Sequence, residues 1–269
     1  MRQLNRKSMV LLLAVVMSVV FVACGSNSDS KSAPAKQVEL TVSAAASLTD
    51  ALNEIQPLFE TAHPDIKLAF NFGASGALQQ QIEQGAPADL FLSAATKNMQ
   101  ALVDKQLIDA DRQTNLLNNE LVVVVPTDGK AAIASAADLA KDEIKKVAIG
   151  IPESVPAGSY AKEALTNAQL WDGLQPKLVQ AKDVRQVLQY VETGNAEAGF
   201  VYKTDALTSD KVSIAFAVDP ASYTPVEYPI GIVKATKNEE QAAALYDYLQ
   251  SQAALDVFVK YGFSVPAAQ

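Results

Sequence analysis

Short strand-like runs alternate with helix-like stretches through almost the whole chain, and this alternation restricts the fold more than any other feature. Residues 38–42 (VELTV) alternate apolar and polar side chains and predict a strand, while Leu48, Leu52, Ile55, Leu58 and Phe59 fall at helical spacing across 48–63. The pattern repeats as a strand at 67–72 (KLAFNF), a helix at 76–84, a strand at 90–93 (LFLS) and a helix at 96–105. The run LVVVVP at 121–126 is long and apolar enough for a buried strand that carries the chain out of one sheet and into another. A second series follows, with strands at 147–151 (VAIGI), 177–181 (KLVQA) and 198–202 (AGFVY) and helices at 158–169 and 184–192. Two more strands, 212–218 and 226–234, and two helices, 239–250 and 253–260, complete the chain.

Strands alternating with helices argue for an α/β fold with parallel, doubly wound sheets. The expected architecture has two lobes joined by two crossings. Residues 37–120 with 228–269 form one lobe and residues 121–227 the other. A single sheet with a C-terminal helical cap also fits the pattern.

The first residues stand apart from this scheme. Arg2, Arg6 and Lys7 precede an apolar run from Met9 to Ala23, shorter than the roughly 20 residues that span a bilayer, so residues 1–23 read as an export signal. Cys24 is the only cysteine, so an internal disulfide is impossible. FVAC resembles the lipobox of bacterial lipoproteins, with Phe21 where Leu is usual; that resemblance implies lipidation of Cys24 and anchoring of the body at the outer face of the cell membrane. An unpaired cysteine at the end of an ordinary signal peptide is the alternative. Residues 24–36, rich in Ser and small polar residues, read as a flexible tether.

Charge and composition exclude several classes. The chain has 22 Lys and Arg against 30 Asp and Glu, three of the cations lie in the leader, and no basic run occurs, so nucleic acid is not an expected partner. A hydrolase elbow of the form G-x-S-x-G fails at its last position in Gly73 to Ala77, and His63, the only histidine, sits in a turn. One His and one Cys exclude His/Cys metal clusters. No enzyme activity, cofactor or metal-cation site is expected.

What remains are the strand-to-helix turns, where open α/β sheets collect ligands. They read AAASLTD, GASGA, ESVPAGSYAKEA, AKDVRQVL and FVYKTDA. Ser47 with Asp50 and Asp183 with Gln186 have capping-box spacing, and the small residues beside them let a ligand approach backbone N–H groups closely. Read without function, all are ordinary helix caps. Arg112 and Arg185 are the only arginines beyond the leader; Arg185 is expected to turn from the cleft toward Asp183 or Glu192. Tyr223, Tyr228 and Tyr246 read as core or hinge residues, and Trp171 as packing at a helix end.

AAASLTDAL, GASGALQQQIEQGAPADLFLSA, IPESVPAGSYAKEAL, DVRQVL and VETGNAEAGFVYKTDA together resemble the periplasmic molybdate-binding proteins of ABC transporters, over essentially the whole chain after the tether. The resemblance implies a two-lobed, type II periplasmic-binding-protein fold. It also implies capture of molybdate or tungstate in the cleft, by a monomer that delivers it to the permease and ATPase subunits of a transporter. Carried over by position, the ligand shell falls on the hydroxyl and N–H of Ser47 and of Ser75, the N–H of Ala157 and of Val184, and the hydroxyl of Tyr202. A shift of the Ser75 contact to Gly76 stays open. Such a donor-only site suits a fully deprotonated oxyanion and offers nothing to a protonated phosphate oxygen. Another tetrahedral oxyanion such as sulfate is the alternative ligand. An organic solute would call for an Arg or acidic partner in the cleft, and surface adhesion would leave the uncharged turns unexplained.

Overall fold

The computed structural model describes residues 37–129 and 132–267; the expected signal peptide, Cys24 and the tether lie outside the described residues. In chain order the strands are β1 (Val38–Ala45), β2 (Ile66–Gly73), β3 (Leu90–Leu92), β4 (Ile108–Asn119), β5 (Leu121–Pro126), β6 (Val147–Gly150), β7 (Leu178–Ala181), β8 (Ala198–Tyr202), β9 (Val212–Ala217) and β10 (Val226–Val233). The helices are α1 (Thr49–Ala62), α2 (Ser75–Glu83), α3 (Thr96–Asp104), α4 (Pro156–Asn167), α5 (Trp171–Leu174), α6 (Val184–Glu192), α7 (Lys203–Ala206), α8 (Glu239–Leu249) and α9 (Gln252–Lys260).

The strands form two sheets of five, ordered β2-β1-β3-β10-β4 and β7-β6-β8-β5-β9. Two sheets in two lobes agree with the expected architecture and rule out a single capped sheet. The chain passes from one sheet to the other at Glu120, between β4 and β5, and returns across residues 218–225.

Neither sheet is wholly parallel, which corrects the expectation from the alternating pattern. β1 runs parallel to β2 and β3, and β6 parallel to β7 and β8. In contrast, β10 is antiparallel to both β3 and β4, and β5 to both β8 and β9. The crossings supply the reason. β5 enters its sheet with Leu121 opposite Tyr202, the last residue of β8, and β10 enters with Val226 opposite Asn119, the last residue of β4. A strand that arrives at the carboxyl ends of its neighbours has to run against them.

β4 carries no legible strand signal. Its sequence, IDADRQTNLLNN, is mostly polar because it is an edge strand, paired along its length with β10 and on its other side bridged to Ser264 at Asn118. Other differences are local. The first helix is preceded by a 3-10 turn at Ala46–Leu48, and α4 starts at Pro156, whose missing N–H suits the first helical position. Leu52, Ile55 and Phe59 are buried, but Leu58 is exposed although it shares their spacing.

The helix α4 sits unusually close to β6. A Cβ placed on Gly158 would lie 1.9 Å from the carbonyl oxygen of Gly150, a backbone atom that cannot turn aside. This contact fixes α4, and with it the turn at Val155 to Ala157, against the sheet. Gly158→Ala should therefore destabilise the protein by about 2–4 kcal/mol in urea unfolding.

Candidate functional site

The carboxyl ends of the parallel strands in the two sheets face each other across a small chamber of about 10 Å³. The first lobe contributes Ala45 to Ser47 after β1, Gly73 to Ser75 after β2, and Ala94 after β3. The second contributes Val155 to Ala157 after β6, Val184 after β7, and Tyr202 at the end of β8. Ser47, Ser75, Ala157, Val184 and Tyr202 thus line one space, although they come from five separate turns. Ala94 was not singled out by the sequence; its signal was its place at the end of LFLSA, a strand-to-helix turn like the others.

The chamber is rich in donors and has no charged side chain in its lining. Ala157 is the second residue of α4 and Val184 the first of α6, so their N–H groups have no intrahelical acceptor. Ser75 opens α2, and its Oγ accepts the Ala94 N–H at 2.9 Å. Ser47 lies in the 3-10 turn with its Oγ 2.8 Å from the Tyr228 hydroxyl. The Tyr202 hydroxyl is buried and, among the described residues, has no hydrogen-bond partner. Burial, with the tyrosines and Asp205 nearby adding to it, pushes the Tyr202 phenol well above its ordinary range, so it keeps its proton.

The carboxylates near these turns point elsewhere. Asp183 caps α6, accepting the Gln186 N–H at 2.8 Å, as its spacing suggested. Ser47 and Asp50 form no capping box: the 3-10 turn displaces the helix start, Ser47 turns to Tyr228, and Asp50 pairs with Arg185 at 2.6 Å. Arg185 contacts neither Asp183 nor Glu192; its Nε meets the fully buried Asp205 at 2.7 Å. Burial opposes the Arg185 charge, but Asp205 and Asp50 outweigh it and raise the guanidinium pKa. Burial pushes the Asp205 carboxyl up to about 6, with Arg185 and the Tyr202 N–H pulling the other way.

The two lobes touch across the chamber. Gly76 N–H donates to the Ser154 carbonyl at 3.0 Å, so that group is already paired across the lobes. Lys97 Nζ donates to Ser159 Oγ at 2.8 Å, the Tyr160 hydroxyl to the Ala94 carbonyl at 3.3 Å, and Arg185 links its lobe to Asp50. A Cβ on Gly76 would lie 2.6 Å from the Ser154 oxygen, so the close approach needs glycine there.

Residues outside the chamber have structural settings. His63 ends α1 and stacks on Phe59, with ring centroids 4.5 Å apart. Trp171 opens α5 under the Lys162 ammonium, 5.4 Å from its ring. Tyr223 accepts the Leu121 N–H at 3.1 Å beside the first crossing, and Tyr246 packs against the core. Tyr228 is also core, but its hydroxyl reaches Ser47, a link 181 residues apart in sequence and invisible to local reading.

Residues 40–264 match the family of bacterial extracellular solute-binding proteins. The chain belongs to that family. The solute-binding protein is 49% identical to a putative ABC transporter substrate-binding lipoprotein, YvgL, of Bacillus subtilis, over 96% of this chain and 98% of the relative. It is 41% identical to the molybdate-binding protein ModA of Haemophilus influenzae, covering 86% of this chain and 91% of the relative. A solved substrate-binding domain of a putative molybdenum ABC transporter from Clostridium difficile is 42% identical and superposes with a TM-score of 0.66, over 86% of this chain and all of that one.

Two outcomes follow from the site geometry of this solute-binding protein. Gly76→Ala should leave unfolding stability nearly unchanged while shifting small-angle scattering toward a more open form, because its clash is between lobes rather than within one. Asp205 binds its proton more tightly when folded than the ordinary 3.8 allows, so its contribution to stability is full below that value and lost as pH rises through about 6. The stability of Asp205→Asn relative to wild type should therefore improve as pH rises across that window, read from urea melts at each pH.

Proposed function

We propose that this solute-binding protein captures molybdate, and tungstate with it, in the chamber between its lobes and hands it to the permease and ATPase subunits of an ABC transporter. The lobes in this reading divide as residues 37–120 with 228–269 and residues 121–227. The protein works as a monomer, held at the outer face of the cell membrane by lipidated Cys24. Ser47 and Ser75 contribute hydroxyl and N–H, Ala157 and Val184 their N–H groups, and Tyr202 its hydroxyl. No cofactor takes part, and the metal enters only within the oxyanion.

The observation that carries this reading is the buried, unpartnered Tyr202 hydroxyl in a chamber of helix starts and serines without a lining charge. A buried hydroxyl without a partner costs about 1–3 kcal/mol, which an acceptor oxygen of a ligand would recover. Five to seven charge-assisted hydrogen bonds of roughly 1.5–3 kcal/mol each can support the approximately −8 kcal/mol of a micromolar complex after ordering costs. Neutral donors also suit release, since opening the lobes withdraws about half of them without leaving a fixed counter-charge. The molybdate-binding relative supports the choice of oxyanion.

Molybdate or tungstate should raise the melting temperature of the purified protein by mass action, and sulfate and phosphate at equal concentration should raise it much less. No shift with any oxyanion would sink the proposal, and an equal shift with sulfate would replace its ligand. Ser47→Ala and Tyr202→Phe should each weaken molybdate binding about tenfold in calorimetry while the protein stays folded.

A further inference from the structure

We infer that Tyr228, held by Asn119, is a specificity-determining positioning residue that forces Ser47 to act as a donor toward the chamber. The inference rests on the oxyanion reading above and concerns how that site rejects ligands that carry a proton.

The chain of hydrogen bonds has one consistent direction. The Glu120 N–H donates to Asn119 Oδ1 at 2.9 Å, which fixes the side-chain amide and turns its NH₂ inward. That NH₂ has two protons and two neighbours, Thr204 Oγ1 at 2.9 Å and the Tyr228 hydroxyl at 3.2 Å. The Tyr228 oxygen therefore accepts, and its single proton is left to donate. Its partner is Ser47 Oγ at 2.8 Å. Reversing this last bond would leave a buried phenolic proton without an acceptor, at a cost of about 1–3 kcal/mol. Ser47 thus accepts from Tyr228, and its own proton goes to the chamber.

Ser75 obeys the same logic by a shorter route, since the Ala94 N–H that meets its oxygen can only donate. Both serines are supplied from behind with a proton, so both present one in front. A hydroxyl by itself could rotate to accept from a protonated ligand; each of these two already accepts from the protein and has no acceptor for its own proton among the described residues, so accepting a second time would leave that proton unpaired. A fully deprotonated oxyanion gains at both positions, whereas hydrogen phosphate or arsenate meets a donor at Ser47 where it requires an acceptor. Asn119 ends β4 at the first crossing and Tyr228 lies in β10 beyond the second, so the relay is assembled from both connections between the lobes.

Tyr228→Phe is a clean test, because the ring packs edge-to-face against Tyr202 and Phe263, at centroid distances of 5.9 and 5.3 Å, and phenylalanine keeps those contacts. Calorimetric titrations of the full-length chain with molybdate and with hydrogen phosphate are the measurement. Tyr228→Phe should bind molybdate about tenfold more weakly and hydrogen phosphate no more weakly than wild type does, narrowing the preference about tenfold. In a Ser47→Ala background the same substitution should change molybdate affinity by less than about twofold, because Tyr228 acts through Ser47. An unchanged preference, or a full tenfold loss that persists without the Ser47 hydroxyl, overturns the inference by showing a merely structural tyrosine. Wild-type protein that fails to bind molybdate overturns the functional reading as well, which separates the two failures.

Discussion

Unpaired backbone N–H groups at helix starts are the interaction around which this protein is arranged. Every strand-to-helix turn at the carboxyl edge of a parallel strand produces a few, and the fold brings two sets of them face to face. The small residues of these turns, Ala45, Ala46, Gly73, Ala74 and Ala157, line the chamber beside the donors. Gly76 is needed because its backbone lies against Ser154 of the opposite lobe. The absence of charge from the lining follows from the same plan: dipoles and hydroxyls supply the positive potential, and the Arg185 guanidinium nearby is neutralised by Asp205 and Asp50.

Arg185 shows how charge is kept out of the chamber and still used. It follows Val184 directly at the start of α6, yet its guanidinium leaves the chamber and joins a buried carboxylate of its own lobe to a half-buried one of the other. The pairing gives the contact between the lobes an electrostatic component. Asp205 also accepts the Tyr202 N–H, so one carboxylate orders both the cation and the turn that carries the phenol.

The site is supported by parts that lie far from it in sequence. Tyr228 and Asn119 belong to strands that enter or leave the crossings, and together they fill the space behind Ser47. A lobe built from two separate stretches of chain requires two passages, and here the strands beside both passages furnish polar groups on the chamber side. The same passages explain why β5 and β10 run against their neighbours.

The alternation of strands and helices, the positions of the turns and the small, uncharged character of the residues in them are legible in the chain, because they depend on periodicity and local backbone chemistry. Ser47, Ser75 and Ala157 could be picked out by residue type and place in a turn, Val184 and Tyr202 only by resemblance to a family. Their convergence on one chamber could not be derived from spacing. The partners come from the folded arrangement: that Ser47 meets Tyr228 rather than Asp50, that Arg185 spans to Asp205 and Asp50, and that the polar edge strand β4 exists at all. Each of these depends on contacts between segments far apart in the chain, where no local propensity records which hydroxyl, carboxylate or strand edge will be the neighbour.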